Sequence, residues 1–209
     1  MASLSDWLGQ ARSSMFLVVD SSLATSVAVV SAGGEILSER SSTDPRGHAE
    51  NIGALMQEAL DAGGVTPAEL THVVMGVGPG PFTGLRVGMA AAEAFALSRS
   101  LPLLPMISHD SPAHEAGNCV VITDARRGEI AFSVYAGEGV FRRVQGPALC
   151  RPENLDAELG GYESLPRIQA ETISAGALGQ VAATYLESGV PLASPAPQYL
   201  RAPDVTVMP

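Results

Sequence analysis

Phe16-Leu17-Val18-Val19-Asp20 is an apolar run ending in an acid, and Val120-Val121-Ile122-Thr123-Asp124 repeats the pattern. Such β-branched runs, unbroken by Gly or Pro, read as strands buried on both faces. The match continues outward from each run. After Asp20 come the strand Val27-Ala28-Val29-Val30, the turn Ala32-Gly33-Gly34 and a third strand from Ile36 to Arg40. After Asp124 come a strand from Ile130 to Tyr135, the turn Ala136-Gly137-Glu138-Gly139 and a third strand from Val140 to Arg143. Asp20 and Gly33 are separated by the same interval as Asp124 and Gly137. Further on, the first half holds a helix from His48 to Asp61, a strand from Val73 to Val77 and a helix from Thr83 to Arg99. The second half holds a weak helical segment from Pro152 to Leu159, a strand from Ile168 to Ser174 and a helix from Gly176 to Ser188. Each half reads β-β-β-α-β-α, and a repeat of this length is the signal that decides an architecture.

Two such units predict an α/β protein with a two-lobe actin-like (ribonuclease H-like) fold, the second lobe reduced. The architecture is similar to that of actin, Hsp70 chaperones and sugar kinases. The expected division is a loosely ordered N-terminal extension at 1–15, a first lobe at 16–118, and a second lobe with the C-terminal segment at 119–209. In that architecture the acid of each first hairpin holds magnesium and nucleotide phosphates. Asp20 and Asp124 therefore support one reading, a nucleotide-binding phosphotransferase or ATPase. Their neighbours argue otherwise: Ser21-Ser22 and Ala125-Arg126-Arg127 follow them, with no Gly-Thr pair and no phosphate loop in the second half. As capping acids they would instead satisfy backbone donors at strand ends.

Composition narrows the field. Hydrophobic residues are 46% and charged residues 16%, as expected of a well-buried globular protein. The formal charge is −10 and every basic residue is Arg, which argues against autonomous nucleic-acid binding through a basic patch. Cys119 and Cys150 form no disulfide framework and are expected reduced and buried in a cytoplasmic protein. The first residues lack the pattern of a signal peptide, and no apolar run is long enough for a membrane span.

Between the strand at Val73 and the next helix lies Gly78-Pro79-Gly80-Pro81-Phe82-Thr83-Gly84-Leu85-Arg86. Gly and Pro enforce a tight loop, and Thr83 is placed to cap the helix. Helix N-termini attract anions, but the loop has neither the Lys of a P-loop nor the G-x-G-x-x-G spacing. A sharp strand-to-helix turn without ligand is the plainer reading.

This stretch, continued through Val87-Gly88, resembles the GPGSFTGLRxG signature of the TsaB family of bacterial tRNA threonylcarbamoyladenosine biosynthesis proteins. The resemblance extends to Val18-Val19-Asp20-Ser21-Ser22, His48-Ala49-Glu50, Thr123-Asp124-Ala125-Arg126 and Gln198-Tyr199-Leu200-Arg201. Pro81 departs from the family's usual Ser, and Ile107 to Ala116 is more polar and histidine-rich than usual. The resemblance implies a noncatalytic scaffold that docks on a TsaD-like transferase and works with a TsaE-like ATPase. Together these modify the adenosine beside the anticodon of tRNAs that read codons starting with A. It implies no cofactor in this chain, ATP and metal being expected on partner subunits. It also implies docking through helices of the first lobe, with a homodimer through the same face as an alternative, and contact with tRNA only through the complex.

The helix stripes point the same way. Ile52, Leu55 and Met56 recur at helical spacing after His48. The helix after the glycine loop is apolar almost all round, with Gly84, Val87, Gly88, Ala91, Ala92 and Phe95 offering close approach to a second helix. These ten residues form the expected partner interface, and Gly78, Pro79, Gly80, Phe82 and Thr83 the adjoining loop. Arg126, Arg127, Arg142 and Arg143 are the only paired basic residues and the candidates for tRNA contact. His109 and His114, five apart, cannot share one metal from one helix face, and are read as exposed loop residues. No metal site, Gly-x-Ser-x-Gly elbow or His-Glu-x-x-His motif is expected or found in the sequence.

Overall fold

A computed structural model describes residues 14–44, 47–140 and 143–200. The expected extension at 1–15 lies outside these residues apart from Ser14 and Met15, and Met15 already opens the first strand. The elements are β1 (Met15–Asp20), β2 (Thr25–Ser31), β3 (Ile36–Ser42), α1 (His48–Gly63), β4 (His72–Gly76), α2 (Phe82–Arg99), β5 (Leu103–Met106), α3 (Asp110–Ala116), β6 (Cys119–Asp124), β7 (Ile130–Tyr135), β8 (Arg143–Cys150), α4 (Leu155–Glu158, entered by a 3-10 turn), β9 (Arg167–Gln169) and α5 (Ala175–Ser188). They form two sheets, β3-β2-β1-β4-β5 and β8-β7-β6-β9.

The repeat is visible in the ladders. β1 pairs antiparallel with β2 and parallel with β4, and β6 pairs antiparallel with β7 and parallel with β9. Asp20 and Asp124 end the central strand of their respective hairpins, opposite Ser26 and Ile130. Because side chains alternate along a strand, β1 and β2 bury both faces. Leu17, Val19, Val27 and Val29 pack with α1 and α2, and Phe16, Val18, Ala28 and Val30 pack with α5.

That last contact differs from the expected division. α5 lies late in the chain, where the second lobe was expected, yet it covers the first sheet. Ser174 caps it, accepting from Ala177 N–H at 3.0 Å and donating to the Glu39 carboxylate of β3 at 3.1 Å. A side chain at Gly179 would press on Val18 and Val30, so glycine sets the depth to which α5 sinks onto the strands. β9 is correspondingly cut to three residues, since the chain leaves the second sheet after Gln169 to reach the first.

Three other boundaries moved. The third strand of the second unit runs Arg143–Cys150, where 140–143 was expected. β5 completes the first sheet beyond β4, paired in parallel from Val73 with Leu103 onward, and was not foreseen. α3 follows it, joining the two sheets through residues 107–116, where His109 and His114 were expected as loop residues.

Candidate functional site

The start of the glycine loop is tied down by its own chain, while Pro81, Phe82 and Thr83 are exposed. Val77 N–H donates to Met106 O and Gly78 N–H to Ser108 Oγ, while Gly78 O accepts from Ser108 N–H. Gln198 N–H of the C-terminal segment donates to Val77 O at 2.8 Å. Gly78 sits at φ +98°, and a Cβ on Gly80 would overlap the Ser22 backbone. Gly78 and Pro79 are buried. Gly80 serves close packing against Ser22, Gly78 packs against Leu85 and Gln198, and the Gly78 donor is already spent on Ser108.

Thr83 does not cap α2. The helix starts at Phe82, Pro81 holds the cap position, and the Pro81 carbonyl accepts from Leu85 N–H at 3.1 Å. Thr83 is thus within the first turn, exposed.

Asp20 is fully buried below the loop. Its carboxylate accepts from Ser22 N–H at 2.8 Å, Ser22 Oγ at 2.6 Å and Ser108 Oγ at 2.5 Å. Burial pushes its pKa above the usual carboxylate range, and the three donors pull back against that. A side chain on Gly76 would collide with it. Asp124 is exposed instead, accepting from Arg126 N–H at 3.0 Å. The two acids therefore share no cleft, and Asp20 has the role of a capping acid.

The expected docking residues divide by burial. Ile52, Leu55, Met56, Gly84, Gly88 and Ala92 all lie inside the chain's own core. Gly84 and Gly88 face Ser21 of the β1–β2 turn: Ser21 Oγ donates to Gly84 O at 2.7 Å and accepts from Gly88 N–H at 3.0 Å. They admit a hydroxyl, not a partner helix. Val87, Ala91 and Phe95 are half-buried, packed at the rim of the core. His48 opens α1, and its side chain is outside the described residues. The bare outer side of α2 is carried by residues not singled out from sequence: Ala90, Ala94 and Leu97, the last 82% exposed. Ala49, Gly53 and Ala54 are likewise exposed on α1, which packs beside α2. On α2 the signal was available, because Ala90, Ala94 and Leu97 lie at i, i+4 and i+7 on the face opposite the core stripe.

Of the paired arginines, only one pair is placed for a ligand. Arg126 and Arg127 are exposed at the tip of the β6–β7 turn, with φ of +65° and +56°. Arg143 is drawn inward, bonded at 2.8 Å to Asp110, whose carboxylate also accepts from Tyr135 OH at 2.6 Å. It is occupied by this pair and not presented to RNA, while Arg142 lies outside the described residues. His109 is not a loop residue at the surface but fully buried, its ring nitrogens bonded to Ser133 Oγ and Thr123 Oγ1. Burial, reinforced by the Arg143 charge, lowers its pKa to about 3. Both nitrogens being engaged, it has none left for a metal. Cys119 and Cys150 are separate buried thiols.

A cavity of about 460 Å³ opens between the lobes. One wall is the start of α2 with the C-terminal segment, where Phe82 stacks on Tyr199 at 4.7 Å and Arg86 lies 4.0 Å over Phe82. The other is the end of β6 and its turn, with Asp124, Arg126 and Arg127. No helix among the described residues is long and apolar enough to cross a membrane.

The family model described as TsaD, tRNA N6-adenosine threonylcarbamoyltransferase, matches residues 35–204. The chain is 36% identical over 180 residues to an uncharacterised protein of Mycobacterium tuberculosis, covering 81% of this chain and 82% of that one. It is 26% identical over 140 residues to the tRNA threonylcarbamoyladenosine biosynthesis protein TsaB of Escherichia coli, covering 63% and 58%. YeaZ from Pseudomonas aeruginosa shares the fold, with a TM-score of 0.73 over 90% of this chain and 100% of that one at 24% identity. The extent of the family match and the shared two-lobe fold show that this chain belongs to the TsaD family, as a TsaB-like member of it.

Proposed function

We propose that this chain is a noncatalytic subunit in tRNA threonylcarbamoyladenosine biosynthesis, docking on a TsaD-like transferase in the cytoplasm. The observation that carries the reading is the outer side of α2, where Ala90, Ala94 and Leu97 lie exposed; Ala49, Gly53 and Ala54 are exposed on α1, which packs against α2. Small side chains let a partner helix approach closely, and Leu97 supplies an apolar anchor near the end of the helix. The same side could pair with a second copy, which the transferase would then displace. The second support is negative space: Asp20 is sealed and shares no cleft with Asp124, so these two acids make no paired site for magnesium and phosphate among the described residues. ATP and metal are then the business of the TsaD-like transferase and a TsaE-like ATPase, and tRNA is met within the assembled complex.

The test is co-elution of the purified chain with the TsaD-like transferase of the same organism, with mass measured on the eluted species. A stable complex that is lost with Ala94→Arg supports the reading. Absence of a complex under every nucleotide condition overturns it.

A further inference from the structure

The docking reading leaves the cleft between the lobes unused. At about 460 Å³ it lies within the range of small-ligand sites. Its two walls have different chemistry. Phe82 and Tyr199 form an aromatic pair on one side, and Arg126 and Arg127 stand at the tip of a turn on the other. Two consecutive arginines in the left-handed region are costly, on the order of 1–2 kcal/mol per residue. The turn is nonetheless held, by Ala125 N–H to Glu129 O at 3.0 Å and Glu129 N–H to Arg126 O at 3.1 Å. In a chain of formal charge −10 without a single Lys, this places two guanidinium groups at the mouth of one cavity.

We infer that this cleft seats one nucleotide of a single-stranded RNA, an inference that rests on the proposed role in tRNA modification. The base packs against the wall made by Tyr199, Phe82 and the Arg86 guanidinium that covers Phe82, since aromatic rings and guanidinium planes both bind the face of any base. The phosphodiester is bound by Arg126 and Arg127, and a ribose 2′-hydroxyl donates to the Asp124 carboxylate, a contact DNA cannot make. Charge selects the phosphodiester over a free nucleoside triphosphate. Arg126 and Arg127 outnumber Asp124 on the turn wall, and Arg86 stands over Phe82 on the other, so the cleft is net positive and suits a phosphodiester. A triphosphate would bring several negative charges toward Asp124 with no second accessible acid to share a magnesium ion.

The experiment is fluorescence anisotropy of a labelled adenosine heptaribonucleotide titrated with the full chain at low salt. Asparagine enters the left-handed region more easily than most residues, so Arg126→Asn with Arg127→Asn removes the charges and keeps the turn. That double variant and, separately, Tyr199→Ala should each weaken binding about tenfold or more. The matching DNA heptamer should bind less tightly than RNA, and Asp124→Ala should erase that difference. Three results overturn the inference: no binding by the wild-type chain, unchanged binding by the arginine and tyrosine variants, or full displacement of the heptamer by AMP or MgATP at comparable concentration. Co-elution of each variant with the transferase is read in parallel. Loss of docking in the wild type with heptamer binding intact defeats the docking reading alone, and the reverse pattern defeats the cleft.

Discussion

The hydroxyl of Ser21 stands between Gly84 and Gly88 of α2, donating to the carbonyl of one at 2.7 Å and accepting from the N–H of the other at 3.0 Å. It ties the β1–β2 turn to the helix. A Cβ on Gly88 would overlap that hydroxyl. Gly88→Ala should therefore cost about 2 kcal/mol through overpacking. Adding Ser21→Gly should recover part of the loss, because the obstructing side chain is gone. Urea unfolding of the two single variants and the double variant checks the coupling, and additive losses would contradict it.

Asp20 is predicted to be a structural acid. Asp20→Asn leaves a neutral amide where three donors converge, and should cost roughly 1–3 kcal/mol. Calorimetric titration of the wild-type chain with MgATP should give only heat of dilution. A heat of binding that vanishes with Asp20→Asn would restore the phosphotransferase reading.

His109 sets an acid limit on stability. It titrates near 6.5 when unfolded and at about 3 when folded. Between those values the unfolded chain binds the extra proton, so stability falls as pH falls through that window and is fully present above it. The difference corresponds to about 5 kcal/mol at most, at about 1.4 kcal/mol for each pH unit. Asp20 and Asp110, whose pKa values burial raises, act in the opposite sense at low pH. The comparison is therefore between wild type and His109→Gln, by unfolding free energy at several pH values from 7 to 4. The variant should lose the part of the slope below 6.5, and parallel curves would refute the assignment.

The exposed side of α2 should separate docking from folding. Leu97→Ser changes a side chain that is 82% exposed and should alter stability by no more than about 0.5 kcal/mol. It should nevertheless weaken co-elution with the transferase. Ala92→Arg, one turn away and fully buried, should instead unfold the protein. Thermal melts alongside the mass measurement distinguish the two.

Much of this was legible in the sequence, for identifiable reasons. The two hairpins ending in Asp20 and Asp124 could be read because the strand pattern is local and repeats with its turn glycines in register. Gly88 and Ala92 could be assigned to a helix but not to a side of it. A helix that is apolar all round gives no periodicity by which to orient it, and the deciding neighbour, Ser21, is distant in sequence. His109 misled for a similar reason. A histidine in a polar stretch reads as exposed unless hydroxyls from elsewhere satisfy it, and here Thr123 and Ser133 come from two strands of the other sheet. Tyr199 lay in a quoted motif, but its stacking on Phe82 depends on a chain reversal that no local pattern encodes.

The position of α5 has a consequence for how the protein is made. The first sheet is complete in sequence by Met106, yet Phe16, Val18, Ala28 and Val30 stay uncovered until residues 175–188 have left the ribosome. During synthesis the nascent chain must carry one oily side of its earliest sheet through the translation of the whole second unit. Its first-made half is thus among the last to be finished, and chaperones or premature aggregation compete for it in that interval.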